Sequence, residues 1–476
     1  MNFFLLLPEI GMAILALVLV VADLFTSDKA KTWLGYLAVI GLIVPAILVA
    51  MVSQTPGQSF FGSLTVDPLS VVFQWLLLVS AALVILSSID YIRRRTRYQG
   101  EYYALIVFAT LGAMLLVSST ELITLFIALE LMSICQYILA GFIKGNHESS
   151  EAGLKYLLLG AVSSAVLLYG LALVYGATGT TTLVGIRDAL AKGPPPAIAT
   201  LGLALLIAGF GFKVAIVPFQ MWIPDVYQGA PTPVTAFLSV ASKLAGFVVI
   251  LRVFGVGLQS LDAYWPQIFA VLAVITMTVG NVAALRQTNI KRMMGYSSIG
   301  QAGYALTALA AATRTTTTGL IFFLIAYAIT NLGVFVAIIY FSNRLGTDEL
   351  ADYNGLSKRS PIMALALTVC LLSLVGMPPM VGFWSKVYLF MSLFDVGLVW
   401  LVIIGLLNSA LAAYYYLKVV HAMYLKPSTG EGRPLGADSP LSIAMFVAVI
   451  GVFVIGILPG PFIQIAGQAA GVIFPR

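Results

Sequence analysis

The chain has 476 residues, of which 60% are hydrophobic and 9% charged, and its mean hydropathy is +1.02. A soluble domain carries about 25% charged residues, so this composition excludes a water-soluble globule and leaves an integral membrane protein. The formal net charge of +6 does not point to nucleic acid, because the basic residues are scattered over short loops with no stacking platform or nucleic-acid module.

The N-terminus, MNFFLLLPEIGMAILALVLVVADLF, lacks the basic n-region and small-residue cleavage site of a signal peptide and is expected to be a first membrane helix. Apolar stretches of about 20 residues, divided by short polar or Pro/Gly-rich turns, recur from there to the end. They predict helices over 2–24, 33–53, 69–89, 102–119, 121–143, 153–176 and 197–219. The second half continues over 232–256, 264–285, 293–312, 316–342, 361–394, 397–424 and 440–458. Thr232 and Pro233 are expected as N-cap and first helical residue of the eighth helix. The stretch 361–394 is too long for one straight crossing and carries GMPP in its middle, so it reads as one broken helix. The fold class is an all-α polytopic membrane protein of about fourteen transmembrane helices.

Alternating the loops across the membrane places Lys29, Lys31, the RRRTR run at 93–97, Lys144, Arg286, Lys291, Arg292, Arg344, Lys358, Arg359, Lys418, Lys426 and Arg433 on one side. Arg187, Lys192, Arg252, Arg314 and Arg476 fall on the other. The positive-inside rule makes the first side cytoplasmic, so both termini are expected on the outer, periplasmic side of a cell (inner) membrane.

Prolines interrupt two of the spans. Pro218 cannot donate to the carbonyl of Val214 in helix 7, and Pro378 and Pro379 in helix 12 release the carbonyls of Leu374 and Val375. Helices 7 and 12 are five apart, and a five-helix unit repeated in tandem must be inverted the second time. The expected organisation is therefore 1–101 for helices 1 to 3, 102–256 and 257–424 for two inverted five-helix halves, and 425–476 for helix 14 and a tail. No residue-level repeat accompanies this, and Lys213 precedes its proline whereas Lys386 follows its pair.

Once the loop charges are assigned, Glu130, Lys155, Lys213, Lys243 and Lys386 remain within spans. At about 2.5 to 3.5 kcal/mol each, five such groups cost on the order of 12 to 18 kcal/mol unless they pair or meet water. Lys213, in GFGFKVAIVPFQMWIPDV, lies one turn before Pro218, where a break exposes carbonyls and admits water; snorkelling to a surface is the alternative. In TPVTAFLSVASKLAGF, Thr235, Ser239, Ser242 and Gly246 form one small polar face beside Lys243, which suits either a hydrated path or helix packing. Glu130 shares a face with Ser133 and Tyr137 and is either a mobile carboxyl or half of a static Glu–Lys pair. Lys386, in GMPPMVGFWSKVYLF, has the same two readings as Lys213, and Lys155 has an ordinary ion pair with Glu151 as its alternative.

Desolvated lysines suit proton handling, because burial disfavours the ammonium and a moving counter-charge then toggles its proton. Metal cations fit less well, since lysine offers donors only. Cys135 and Cys370 sit in apolar segments as small hydrophobes, and His147 and His421 are too far apart in sequence to suggest a metal site. GFG at 209–211 lacks the third glycine and the strand of a dinucleotide fingerprint, and no P-loop, cysteine cluster or paired nucleophile is present.

The stretch FKVAIVPFQMWIPDVYQGAPTPVTAFLSVASKLAGF, 212–247, resembles the antiporter-like membrane subunits of respiratory complex I, the NADH-quinone oxidoreductase. ALELMSICQYILAGF, EAGLKYLLLGAVSSAVLLYG, NIKRMMGYSSIGQAGY and GMPPMVGFWSKVYLF extend the resemblance over nearly all the chain. It implies that Glu130, Lys155, Lys213, Lys243 and Lys386 match the glutamate of helix 5 and the lysines of helices 6, 7, 8 and 12 that form or flank the family's central hydrophilic axis. Lys386 argues against the sister subunit M, which tends to carry a glutamate there; ASK in helix 8 and the lack of a long lateral helix argue against subunit L. Gln220 departs from the family's usual VPFHMW. The implied function is proton translocation by a Glu/Lys relay, with K-like and M-like membrane-arm neighbours and the lipid bilayer as partners. Iron-sulfur clusters, flavin and quinone are expected in partner subunits, with no cofactor on this chain. An Mrp-type cation/proton antiporter subunit and a passive structural subunit of the membrane arm are the alternatives.

Overall fold

The computed structural model describes residues 2–28, 30–428, 434–436 and 439–474. Lys29, Arg433 and Arg476, which entered the loop-charge asymmetry, lie outside the described residues. Among the described residues the regular structure is helical apart from one hairpin, β1 (Gly57–Ser59) with β2 (Leu64–Val66), in which Gly57 pairs with Val66. The N-terminal unit holds α1 (Leu7–Leu24), α2 (Thr32–Gly41), α3 (Ile43–Val52) and α4 (Pro68–Arg93). Next come α5 (Gln99–Ser118), α6 (Leu122–Ala140), α7 (His147–Thr178), α8 (Leu183–Leu190), α9 (Ala197–Val214), α10 (Trp222–Gly229) and α11 (Thr232–Arg252). The second half has α12 (Trp265–Leu285), α13 (Ile290–Thr307), α14 (Arg314–Leu345), α15 (Leu356–Arg359), α16 (Pro361–Val375), α17 (Val381–Asp395) and α18 (Val399–Leu425). α19 (Ser439–Ile457) and α20 (Pro459–Ala470) complete it.

Local chemistry starts these helices where polar residues precede apolar runs. Asp67 accepts from Ser70 N in a capping box ahead of Pro68, Thr313 does the same with Thr316, and Asn146 and Asn289 cap α7 and α13. α11 begins one residue earlier than expected: Pro231 is its N-cap and Thr232 its first residue. The short helices α8 and α20 and the hairpin lie in stretches expected to be loop or tail.

Among the described residues, twelve helices are long and apolar enough to cross a membrane, against about fourteen expected spans. The two others are α13 and the α16–α17 pair. α13 is too polar to count, with Lys291, Arg292, Ser297, Ser298 and Gln301, and nearly all of it is buried. A helix enclosed by protein needs no apolar outer face, so its polar groups can point into the bundle. α11 is buried along its whole length and α14 along most of its own, whereas the windows of α2–α3, α7 and α18 are only 33% buried. α11 and α14 therefore form the centre, packed on one another, with α4 against α11 and α17 against α14. Close contact between α12 and α13 rests on glycine: a Cβ on Gly280 would stand 2.5 Å from Gly300 N.

Both interrupted helices stop at a left-handed residue. α9 ends at Val214 with Ala215 at φ +64°, five residues short of the helix end expected at 219, and α10 resumes at Trp222. α16 ends at Val375 with Gly376 at φ +98°, and α17 resumes at Val381. The Val217–Pro218 and Pro378–Pro379 peptide bonds are cis.

Candidate functional site: a buried row of lysines

Lys213, in the last turn of α9, is 2% exposed. Its Nζ donates to Ser133 Oγ at 2.6 Å and to Tyr137 Oη at 3.1 Å, both on α6. The Tyr137 ring reaches it only because residue 160 is glycine, where a Cβ would collide with the Tyr137 hydroxyl. Glu130 lies one and two turns earlier on the same α6 face, half-buried, and its Oε1 accepts from Ser164 Oγ on α7 at 2.5 Å. It makes no ion pair with Lys213 within 4.0 Å among the described residues. The carboxyl is thus held by a hydroxyl of α7 and the ammonium by two hydroxyls of α6, with no direct ion pair between them.

Lys243, in the middle of α11, is 3% exposed, donates to the Ser298 carbonyl of α13 and stands 5.9 Å from the Tyr327 ring centroid. Tyr327 Oη in turn donates to Ser239 O at 3.1 Å and lies 3.2 Å from Ser298 Oγ, and Tyr227 Oη lies 3.3 Å from Ser298 Oγ. The polar face beside Lys243 has mixed duty. Asn331 donates to Ser239 Oγ at 2.7 Å and Thr235 donates to Tyr227 O at 3.1 Å, while Gly246 lets α11 close on α9, a Cβ there standing 2.5 Å from Val214 Cγ1.

Lys386, in α17, is 7% exposed. Its Nζ donates to Leu374 O at 2.8 Å, Val375 O at 3.0 Å and Ser409 Oγ at 2.9 Å, and it stands 5.1 Å from the Tyr304 ring centroid. The two carbonyls are those left without a backbone donor by Pro378 and Pro379. Lys243 and Lys386 pair with no carboxylate among the described residues, so neutral oxygens alone hold their ammonium protons.

Polar and aromatic groups fill the intervals between these lysines. Tyr156 sits edge-on to Tyr137 at 4.7 Å, stacks on Trp222 at 4.4 Å and donates to Gln136 Oε1 at 3.1 Å. Gln136 Nε2 and Ser242 Oγ are buried beside this route with no protein partner, which suits hydrogen bonding to water. Beside Lys386, a cavity of about 10 Å³, roughly one water molecule's room, is lined by Gln301, Tyr327, Thr330, Ser373 and Lys386 among others, and Tyr327 also faces Lys243.

Lys155 stands apart. It is 41% exposed by side chain, and it pairs with Glu151 at 2.7 Å and Asp225 at 2.5 Å, while Arg292 of α13 takes the other Asp225 oxygen at 2.7 Å. Glu148, Glu151, Asp225, Gln228 and Arg292 border a polar cavity of about 200 Å³ there.

Comparison with known proteins supplies the deciding observation. The family described as NADH:quinone oxidoreductase/Mrp antiporter, TM, matches residues 119–412, more than half of the chain and a stretch containing Glu130 and all four lysines. The chain belongs to this family. Within it, NADH-quinone oxidoreductase subunit N of Moorella thermoacetica is 45% identical over 475 residues, covering 99% of each chain. Subunit N of Trichlorobacter lovleyi is 42% identical over 475 residues, covering 99% of this chain and 98% of that one. A chain of the solved respiratory complex I from Thermus thermophilus with bound aureothin has a TM-score of 0.81 at 32% identity, covering 96% of this chain and 98% of that one. Within the NADH:quinone oxidoreductase/Mrp antiporter family the sequence therefore stands with subunit N, an antiporter-like membrane-arm subunit of complex I.

This family member differs from its sequence-based outline in several side chains. Gln220, at the departure from VPFHMW, keeps its Oε1 buried in the α9–α10 break with no protein donor. Arg252 and Lys291, expected as loop charges, are buried: Arg252 pairs with Asp67 at 2.9 Å, and Lys291 donates to Ala230 O at 3.0 Å. Arg292 was legible only as a loop charge and Asp225 carried no signal, because the contact joining them spans two halves of the chain. Tyr227, Tyr327 and Tyr304 carried no signal, since tyrosines are frequent in this sequence and their spacing shows no pattern.

Proposed function

We propose that this family member is the proton-translocating membrane-arm subunit, of subunit N type, in a complex I-like NADH-quinone oxidoreductase, and that Glu130, Lys213, Lys243 and Lys386 are its relay. The observation that carries this reading is the set of three lysines, each less than one-tenth exposed, held mainly by hydroxyl and carbonyl oxygens and joined by tyrosines and serines. A packing role alone would not require ammonium groups in so apolar a bundle.

Electron transfer and quinone chemistry belong to partner subunits that hold flavin and iron-sulfur clusters, with K-like and M-like neighbours on either side of this chain. A conformational or electrostatic change passed along the membrane arm displaces Glu130. A carboxylate that approaches Lys213 favours its ammonium, and one that retreats favours the free amine. The released proton moves by way of Tyr137, Tyr156 and the water-competent groups Gln136 and Ser242 to Lys243, then past Tyr327 to Lys386. Lys155, with Asp225 and Arg292, stands where the row meets the aqueous side and exchanges protons with it. Each charge carried across works against about 2.3 kcal/mol per 100 mV.

The two proline-containing breaks support a pair of inverted five-helix halves, 102–256 and 257–424, in a chain whose termini face the outer side of the cell membrane. Each break opens with a left-handed residue, and each places a relay lysine on one flank, Lys213 before the first and Lys386 after the second.

The test is proton pumping by the assembled complex in membrane vesicles. Lys213→Ala and Lys386→Ala are each expected to abolish acidification driven by electron transfer, and normal pumping in either would overturn the relay.

A further inference from the structure

The N-terminal helices hold a buried carboxyl that the lysine row does not use. Glu9, in the first turn of α1, is 6% exposed, and its Oε1 accepts from Gln74 Nε2 of α4 at 2.7 Å. The same amide nitrogen donates to Ser118 Oγ at the end of α5, at 3.0 Å. Both amide hydrogens are then spent. Two acceptors of this side-chain pair, Glu9 Oε2 and Gln74 Oε1, remain buried with no donor.

No cation lies within 4.0 Å of Glu9 among the described residues. α1 is packed by α2, α3, α5 and the turn Phe3–Leu6. α3 and the turn carry no ionisable side chain; on α2 and α5, Tyr36, Glu101, Tyr102 and Tyr103 stand at the opposite end, near the Asp23–Lys31 pair. The neighbouring charges at Glu9's own end are already matched: Arg252 donates to Val117 O at 2.9 Å, next to Ser118, and to Asp67 Oδ1 at 2.9 Å.

We propose that Glu9 is a proton-binding site, an undissociated carboxylic acid whose O–H donates to Gln74 Oε1. A carboxylate here would set negative charge beside an amide oxygen in an apolar surround, leaving both acceptors empty. One proton supplies the single donor that the pair lacks, and acid and amide then each donate to and accept from the other, the second amide hydrogen staying on Ser118. Through Ser118 and Val117 the site adjoins Arg252, the end of the helix that carries Lys243. The bundle thereby gains a place to hold a proton outside the lysine row.

The experiment is infrared difference spectroscopy of the complete complex in membranes at neutral pH, wild type minus Glu9→Gln. The expected spectrum has the carbonyl band of a protonated carboxylic acid, shifted in D2O, and Gln74→Leu moves that band. The paired stretching bands of a carboxylate in its place overturn the proposal. Glu9→Gln is expected to assemble at the wild-type level, because glutamine imitates the neutral acid; failure to assemble also counts against it.

Discussion

Lys386 donates to Leu374 O and Val375 O, two carbonyls that its own helix break sets free, and to Ser409 of α18. Lys213 is held instead by two hydroxyls of α6, and Lys243 by one carbonyl of α13. Hydrogen bonds to a charged group contribute about 1.5 to 3 kcal/mol each. Tyr137→Phe, which removes one of the two acceptors on Lys213, is therefore expected to slow pumping about ten-fold or more while electron input remains intact, measured in vesicles. Gly160→Val drives a side chain into the Tyr137 hydroxyl and is expected to destabilise the subunit by about 1 to 3 kcal/mol, read as a lowered melting temperature of the purified complex. The lysines and Glu130 were legible in the sequence because a charge inside an apolar run costs about 2.5 to 3.5 kcal/mol unless it pairs or meets water, which singles it out whatever its role. Their partners were not, since Ser298, Ser409 and Tyr327 reach the site from helices far away in the chain and resemble any other polar residue on an apolar helix.

The interrupted helices show how far local sequence reaches at the scale of an element. Proline marks each break, but it does not mark where the first segment stops: α9 is closed by Ala215, a residue type with no preference for the left-handed conformation, so tertiary packing sets that end. At the second break the equivalent residue is Gly376, whose missing side chain suits φ +98° and leaves the Lys386 stem room, a Cβ there standing 3.2 Å from Lys386 Cδ. Gly376→Ala is expected to cost about 1 to 3 kcal/mol in stability and to lower pumping, because the strained residue adjoins the lysine. A thermal melt and a pumping assay on the same preparation check both parts; an unchanged melt would show that the glycine conformation is unimportant. α13 differs in kind. Its polar composition placed it below the twelve membrane-competent helices, yet its burial inside the bundle makes those polar groups Lys243's surroundings.

Across the whole molecule, the fully buried α11 and largely buried α14 form an axis on which the broken helices α9 and α17 place their lysines. The all-helical membrane class and most spans were legible because apolar length reports directly on the bilayer. The short α8, α20 and hairpin were not, since they carry too few residues for a periodic signal. Lys155, partly exposed, is the water-facing end of the proposed relay. Its ion pairs are half-exposed and worth about 0 to 1 kcal/mol, so Lys155→Gln is expected to leave the melting temperature nearly unchanged while slowing pumping; equal pumping would remove Lys155 from the path.

Lys243 bears the account most directly, since it lies between Lys213 and Lys386 and is bound only by neutral groups. The measurement is the number of protons moved per electron pair by the complex carrying Lys243→Gln in sealed vesicles. A lowered ratio with full assembly is the predicted result, because glutamine keeps a polar side chain but cannot take and release a proton. An unchanged ratio would contradict proton passage through this chain's lysine row.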